Sequence, residues 1–252
     1  MQSSSREKPE NKISLFVPVY NPSGSIEEDI DRCYDTLLRL NGEFEIIIVD
    51  DNSNVKSPAL EKAVSRINKR AGKQILRCIF YNIGPSRREN LAQSFSSAKF
   101  KTVGFIDSDF SCDISFVLKA INVLREESAD IVIGSRYIKG SKVKSRIARR
   151  VLSFFYNSAL RIIFKSKIKD HQCGLKVFRL DAVMPIIGQM GYDKEFIRGW
   201  FWDAELLIRV QRAGLRIIEM PVEWSYADSS TFRITRETRC LRAIIKLRRA
   251  LG

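Results

Sequence analysis

The segment Phe44-Glu45-Ile46-Ile47-Ile48-Val49-Asp50-Asp51 limits the possible folds of this chain most severely. It is β-branched through its centre, which favours a strand over a helix. Its apolar residues run on without polar alternation, so as a strand it must be covered on both faces. That is the condition of a parallel sheet held between two layers of helices. Similar runs recur over residues 13–21 (interrupted by Pro18), 75–81, 102–106 and 130–137. Segments of helical spacing lie between them. Ser25, Glu27 and Glu28 precede Ile30, Cys33, Tyr34, Leu37 and Leu38, with a stop at Asn41-Gly42. A second helix runs from Pro58 to Ala71, a third opens at Gly84-Pro85-Ser86 and carries Arg87 and Arg88, and a fourth covers residues 114–127. Strands alternating with helices predict an α/β fold with a mostly parallel, doubly wound sheet and helices on both faces.

Three of these strands end in polar groups: Tyr20-Asn21, Asp50-Asp51 and Asp107-Ser108-Asp109. Open α/β sheets bind ligands in the crevice outside the carboxyl ends of their strands, so these groups are expected to meet at one edge. Two carboxylates one residue apart are hard oxygen ligands, suited to Mg2+ or Mn2+ held against a substrate's phosphates. The same triplet also serves as a polar turn capping the next helix. There is no Gly-rich fingerprint after the first strand and no Walker loop, so a metal–carboxylate clamp is the expected means of holding a nucleotide.

Charge narrows the partners. The 252 residues include 43 Lys and Arg against 29 Asp and Glu, a net charge of +14. Such a balance implies nucleic acid, an anionic membrane or phosphorylated substrates. Nucleic acid fits least, because the aromatic residues sit in apolar runs and no recognised binding module is present. The five cysteines are scattered, which points to reduced thiols in a cytosolic setting. One histidine, His171, argues against histidine-based metal sites. Residues 1–12 form a polar tail without the apolar core of a signal peptide. No apolar run approaches the roughly 18 residues that a membrane-spanning helix needs.

The second half is different in character. Residues 146–165 form a strongly apolar helix that also holds Arg146, Arg149, Arg150 and Arg161. That composition suits a membrane interface, or a core or dimer helix. Asp170-His171-Gln172-Cys173-Gly174 is a polar turn entering a strand-like segment. A helix beginning at Phe201-Trp202 carries Asp203 and Glu205 in its first turn, where the macrodipole favours acids. Residues 217–224 read as an edge strand because of Pro221. The end of the chain, from Thr235, is a basic amphipathic helix with Leu241, Ile244, Ile245 and Leu247, fitted to an anionic surface or to packing its stripe on the core.

Six of these segments, taken in order, resemble family-two GT-A glycosyltransferases: Val17-Pro18-Val19-Tyr20-Asn21, Val49-Asp50-Asp51-Asn52-Ser53, Asp107-Ser108-Asp109, Gly134-Ser135-Arg136-Tyr137, Asp170-His171-Gln172-Cys173-Gly174-Leu175-Lys176 and Trp202-Asp203-Ala204-Glu205-Leu206-Leu207. Within that family the chain is most similar to the dolichyl-phosphate hexose synthases, and to the glucose branch more than the mannose branch. The resemblance implies a GT-A domain over residues 13–233, between the tail and a C-terminal helix over 234–252.

The same resemblance implies an inverting transfer of a hexose from a nucleotide sugar (UDP-glucose or GDP-mannose) to a polyprenyl or dolichyl phosphate. The expected place is the cytoplasmic face of a membrane, either as a peripheral protein or as the catalytic domain of a longer one. Donor-binding residues would be Pro18, Tyr20, Asn21, Asp50, Arg88 and Asp107, with Asp50 on the nucleobase. Asp107 and Asp109 would hold Mg2+ or Mn2+. Arg136, Arg149 and Ser153 would hold the acceptor's phosphate, a use to which arginine is suited. Asp203 occupies the position where related enzymes place a base, and is expected here to orient the sugar hydroxyls or the acceptor. The alternatives are a family-two enzyme with a saccharide acceptor, and a nucleic-acid-binding protein. The chain departs from the family pattern at Pro22, at Ser111, where a further metal ligand can stand, and over residues 227–233.

Overall fold

The apolar runs assemble into one seven-stranded sheet. The computed structural model describes residues 10–22, 24–55, 57–144, 147–225 and 234–251, and the side chains of 148, 149 and 234–240 lie outside that description. In chain order the elements are β1 (Lys12–Val19), α1 (Ile26–Leu37), β2 (Glu43–Asp50), α2 (Pro58–Ala71), β3 (Leu76–Phe80), α3 (Glu89–Ser94), β4 (Thr102–Ile106), α4 (Ser115–Glu126), β5 (Ile131–Ser135) and β6 (Lys142–Lys144). They continue with α5 (Ile147–Phe164), β7 (Leu175–Arg179), α6 (Leu180–Met190), α7 (Trp202–Arg212), β8 (Ile217–Pro221), β9 (Glu223–Ser225) and α8 (Ile234–Leu251).

The strand order is β3-β2-β1-β4-β7-β5-β8. β1 pairs parallel with both β2 and β4, so the order reverses between β1 and β4, the switch point at which such sheets bind ligands. Val19 lies opposite Asp50, which brings the polar ends of β1 and β2 level. One strand breaks the parallel pattern: β7 is antiparallel to both β4 and β5. Its first residue, Leu175, pairs with Ile106, the last residue of β4. The reversal therefore delivers residues 170–174, which enter β7, to the same edge as Asp107.

Both faces of the sheet are covered, as the unbroken apolar runs require. Leu15, Val17, Ile46 and Ile48 pack against α1, α2 and α4. Phe16, Ile47, Val49 and Phe105 face the other way, toward α3, α6 and α7. On that second face Phe95 meets Phe16 edge-on at 5.1 Å and Phe178 at 5.3 Å. A third, smaller cluster joins Leu160 and Phe164 of α5, Phe201, Ala204 and Ile208 around α7, and Ala243 and Leu247 of α8.

Three expectations change. The third helix starts at Glu89, not at Ser86. The buried Asp51 carboxylate accepts the Ser86 N–H and hydroxyl (both 2.7 Å), the Arg87 N–H (2.9 Å) and the Asn90 amide (2.6 Å). That wrapping forces Arg87 into the left-handed region (φ 71°) and delays helix onset by one turn. The last strand is split: β8 is the edge of the large sheet, whereas β9 pairs with β6 in a separate two-stranded sheet. Leu38, counted with the buried face of α1, is exposed. Among the described residues Cys33, Cys78, Cys112 and Cys173 are free thiols, as expected. No described helix is long and apolar enough to cross a membrane.

Candidate active site

The crevice outside β1 and β2 is built from short polar side chains tied to backbone. Asp50 is buried, and its Oδ1 accepts the Ser53 N–H at 2.7 Å. Ser53 Oγ in turn accepts the Asn21 N–H at 2.9 Å, and Asn21 Oδ1 accepts the Asn54 N–H at 2.9 Å. Asn21 (φ 46°) and Asn52 (φ 67°) both take left-handed backbone, which asparagine tolerates better than most residues. Tyr20, 40% exposed, and the partly buried Pro18 flank this turn. The result is a polar floor with an exposed aromatic ring at its rim.

Deeper in, four charged side chains form a chain. Lys176, 0% exposed on β7, donates to Asp203 Oδ1 at 2.6 Å and to the Cys173 carbonyl at 2.7 Å. Asp203 Oδ2 accepts from Arg88 Nε at 2.9 Å. Arg88 Nη2 reaches Asp107 Oδ1 at 2.7 Å. The Phe105 ring lies beneath both cations, 5.0 Å from the guanidinium and 5.1 Å from the ammonium. Burial would raise the Asp203 pKa, but Arg88 and Lys176 outweigh it and hold the carboxyl below its ordinary value. Burial raises the Asp107 pKa, helped by Asp109 and Asp203 and opposed by Arg88. Gly174 closes the site from the other side. A Cβ there would lie 1.7 Å from Asp107 Oδ2, and its carbonyl accepts the Asp107 N–H at 3.0 Å.

Asp109 is exposed, and its Oδ1 accepts the Ser111 N–H at 3.0 Å. Arg136 leaves β5 into a bidentate pair with the buried Asp170, Nε to Oδ2 at 2.7 Å and Nη2 to Oδ1 at 2.9 Å. Next to it, His171 Nδ1 contacts Asn157 Oδ1 at 2.9 Å and Nε2 contacts Ser166 Oγ at 2.9 Å. An amide oxygen can only accept, so Nδ1 carries the proton and the Ser166 hydroxyl donates to Nε2. Burial pushes the His171 pKa down to about 4.

The sequence profile of Glycosyl transferase family 2 matches residues 14–186, well over half of the chain. The chain belongs to that family. Among similar curated proteins, Glycosyltransferase AglD of Haloferax volcanii is 27% identical over 90% of this chain and 35% of its own length. The dolichyl-phosphate beta-glucosyltransferase of Saccharomyces cerevisiae is 26% identical over 86% of this chain and 68% of its own. The chain thus spans about a third of the first relative and two thirds of the second. Among solved structures, glucosyl-3-phosphoglycerate synthase from Mycobacterium tuberculosis in complex with UDP superposes with a TM-score of 0.61 at 19% identity, covering 95% of this chain and 79% of that one. The same enzyme has been crystallised with Mn2+, UDP-glucose and phosphoglyceric acid, again at a TM-score of 0.61, with 17% identity. The fold is GT-A.

In this family-two chain no group of three or more His, Cys, Asp or Glu side chains converges among the described residues. A divalent cation nevertheless fits at Asp107 and Asp109. One carboxylate is exposed, and the buried Ser111 hydroxyl two residues on has no hydrogen-bond partner. The Ser153 hydroxyl of α5, expected to hold an acceptor's phosphate, is likewise buried without a hydrogen-bond partner. The Arg149 side chain and residues 227–233 lie outside the described residues. Asp203, expected to orient the sugar hydroxyls or the acceptor, is 2% exposed, and its two oxygens are held by Arg88 and Lys176. The sequence alone does not single out Lys176, Gly174, Asp51 and Asp170 for these contacts. Lys176 did carry a signal, as a charged residue among Leu175, Val177 and Phe178 in a strand, where a lysine is buried only if paired.

Proposed function

We propose that this family-two chain transfers a hexose, glucose or mannose, from a UDP- or GDP-sugar to a polyprenyl or dolichyl phosphate, with inversion, at the cytoplasmic surface of a membrane. The enclosure of Asp203 carries the reading. A saccharide hydroxyl needs a base to become a nucleophile, and the carboxylate at the usual position has both oxygens held by Arg88 and Lys176. A phosphate monoester is largely ionised near neutral pH and needs none. The names of the curated relatives point to the same acceptor class.

The difficulty is then electrostatic, since an acceptor anion must approach a diphosphate donor. Pro18, Tyr20, Asn21 and Asp50 seat the nucleoside. Asp107 and Asp109 would hold Mg2+ or Mn2+, whose chemistry is to offset charge on the diphosphate leaving group. Arg136, fixed by Asp170, with Arg149 and the unpartnered Ser153 hydroxyl, receives the acceptor phosphate. α5 supports the location: Ile147, Val151, Leu152, Phe154, Phe155 and Ile162 are exposed along it, and basic residues accompany them.

The test is transfer from UDP-glucose and GDP-mannose to a short polyprenyl phosphate compared with free sugars. Product on the polyprenyl phosphate alone is expected, and product on sugars alone would overturn the reading. Asp109→Ala should abolish the metal-dependent transfer.

A further inference from the structure

Asp170 holds Arg136 along one edge, and a bidentate pair of that kind leaves one soft coordinate. The guanidinium can still tilt about the axis of the pair, because both side-chain hydrogen bonds lie on the same edge. Its face meets Trp224, whose ring centroid lies 5.4 Å from Cζ, within cation–π range. Trp224 is the buried middle residue of β9, between the exposed Glu223 and Ser225, so strand alternation turns the indole inward.

The backbone of Trp224 is fixed from two sides. It lies opposite Val143 of β6 and forms an antiparallel bridge with Cys112. The Ser225 N–H donates to the Ser111 carbonyl at 2.9 Å, and the Asp113 N–H to the Glu223 carbonyl at 3.2 Å. Gly134 lets this segment approach β5, since a Cβ there would lie 2.7 Å from both Val222 Cγ1 and Cys173 Sγ. With Asp170 taking Nε and Nη2, and the indole on one face, Nη1 is the guanidinium nitrogen that donates to no acceptor among the described residues.

We propose that Trp224 is a positioning residue for acceptor binding: its indole fixes the tilt of the Arg136 guanidinium, so that Nη1 is aimed to donate to an oxygen of the acceptor's phosphate. The inference rests on the assignment of Arg136 to that phosphate. An arginine ordered before the acceptor arrives loses less freedom on binding, so the benefit falls on acceptor affinity. Cation and donor affinity do not depend on the indole, because β9 holds residues 111–113 through backbone and that pairing survives a change of side chain.

The test is steady-state transfer to a short polyprenyl phosphate, with donor and acceptor varied in turn. It compares the wild type with Trp224→Leu, Trp224→Phe, Arg136→Gln and the double variant Trp224→Leu/Arg136→Gln. The acceptor KM should rise about tenfold in Trp224→Leu, a size consistent with a cation–π pair held away from water, and about threefold in Trp224→Phe, whose ring attracts a cation less. The donor KM should stay within about twofold of the wild type in both. In the Arg136→Gln background, Trp224→Leu should change the acceptor KM by less than about twofold, since a residue acting through Arg136 then has nothing left to position. A purely structural role would lower the active fraction for both substrates alike and leave KM unmoved.

A folded Trp224→Leu enzyme with the wild-type acceptor KM, a matching rise in its donor KM, or a loss that persists in full without Arg136 overturns the proposal. Should Trp224→Leu fail to give a cooperative melt, Trp224→Phe decides, and a wild-type acceptor KM there also overturns it. The same shifts found only with another phosphorylated acceptor, such as phosphoglyceric acid, would sustain the inference and refute the lipid. A wild type that glycosylates free sugars alone would overturn the acceptor reading and this inference with it.

Discussion

At the scale of single residues the site depends on close approach as much as on charge. Gly174 shows this most directly. Its backbone is not in the left-handed region, so an alanine there carries no dihedral penalty. The obstacle is spatial, because the new methyl would overlap Asp107 Oδ2. Gly174→Ala is therefore expected to displace the Asp107 carboxylate by about an ångström, weaken Mn2+ binding in the presence of nucleotide, and lower kcat about a hundredfold. Wild-type turnover in a folded Gly174→Ala enzyme would show that Asp107 need not sit where Gly174 holds it. Asp51 makes the complementary point. It stands beside Asp50 in sequence but serves the scaffold, fastening the 84–90 segment that carries Arg88 into place.

At the scale of elements, α5 joins two environments. Leu160 and Phe164 anchor it to α7 and α8, while Phe154 and Phe155, 53% and 65% exposed, lie on the open side. Its Asn157 reaches back to His171, beside the Asp170 that fixes Arg136, so the helix is keyed to the site by its polar residues. Replacing Phe154 and Phe155 by Asp should abolish co-flotation with vesicles containing anionic lipid while leaving the melting temperature unchanged. Each buried aromatic contributes about 1.5–3 kcal/mol to such binding, enough for a large drop in bound fraction. Undiminished flotation would count against α5 as a membrane-facing element. α8 divides in the same way, with Ala243 and Leu247 turned inward and Leu241 and Ile245 outward. The expected packing of a stripe on the core holds for its inward face.

At the scale of the whole molecule, the one histidine is among the groups that link stability to pH. Burial depresses the His171 pKa from 6.5 to about 4, so the folded chain keeps it neutral where the unfolded chain protonates it. At this group the unfolded state binds more protons below about pH 6.5, so the contribution of His171 to stability is lost as pH drops toward 4, while Glu89, raised to about 7 by burial, acts in the opposite sense. Fully expressed, this amounts to about 3 kcal/mol. The single imidazole resonance should titrate near pH 4, and the melting temperature of His171→Gln should rise relative to the wild type as pH falls from 6.5 to 4. A midpoint near 6.5 would contradict the buried, Nδ1-protonated ring.

Much of this architecture is legible along the chain. The unbroken apolar runs, the helical spacing between them and the carboxylates at their ends follow from local periodicity, and α2 matches its expected bounds residue for residue. The polar ends of β1, β2 and β4 could be placed at one edge because successive parallel strands point the same way. Local pattern could not reveal the direction of β7, since Leu175-Lys176-Val177-Phe178 reads identically as a parallel or an antiparallel strand. Pairing with β4, about 70 positions earlier in the chain, set that direction and brought Asp170, Gly174 and Lys176 to the crevice. The partners of Asp203 were equally out of reach. A carboxylate in the first turn of a helix suits the macrodipole wherever it points. Whether it acts as base, orienter or buried counter-ion depends on Arg88 and Lys176, which only the packing of α3 and β7 against α7 brings within 3 Å.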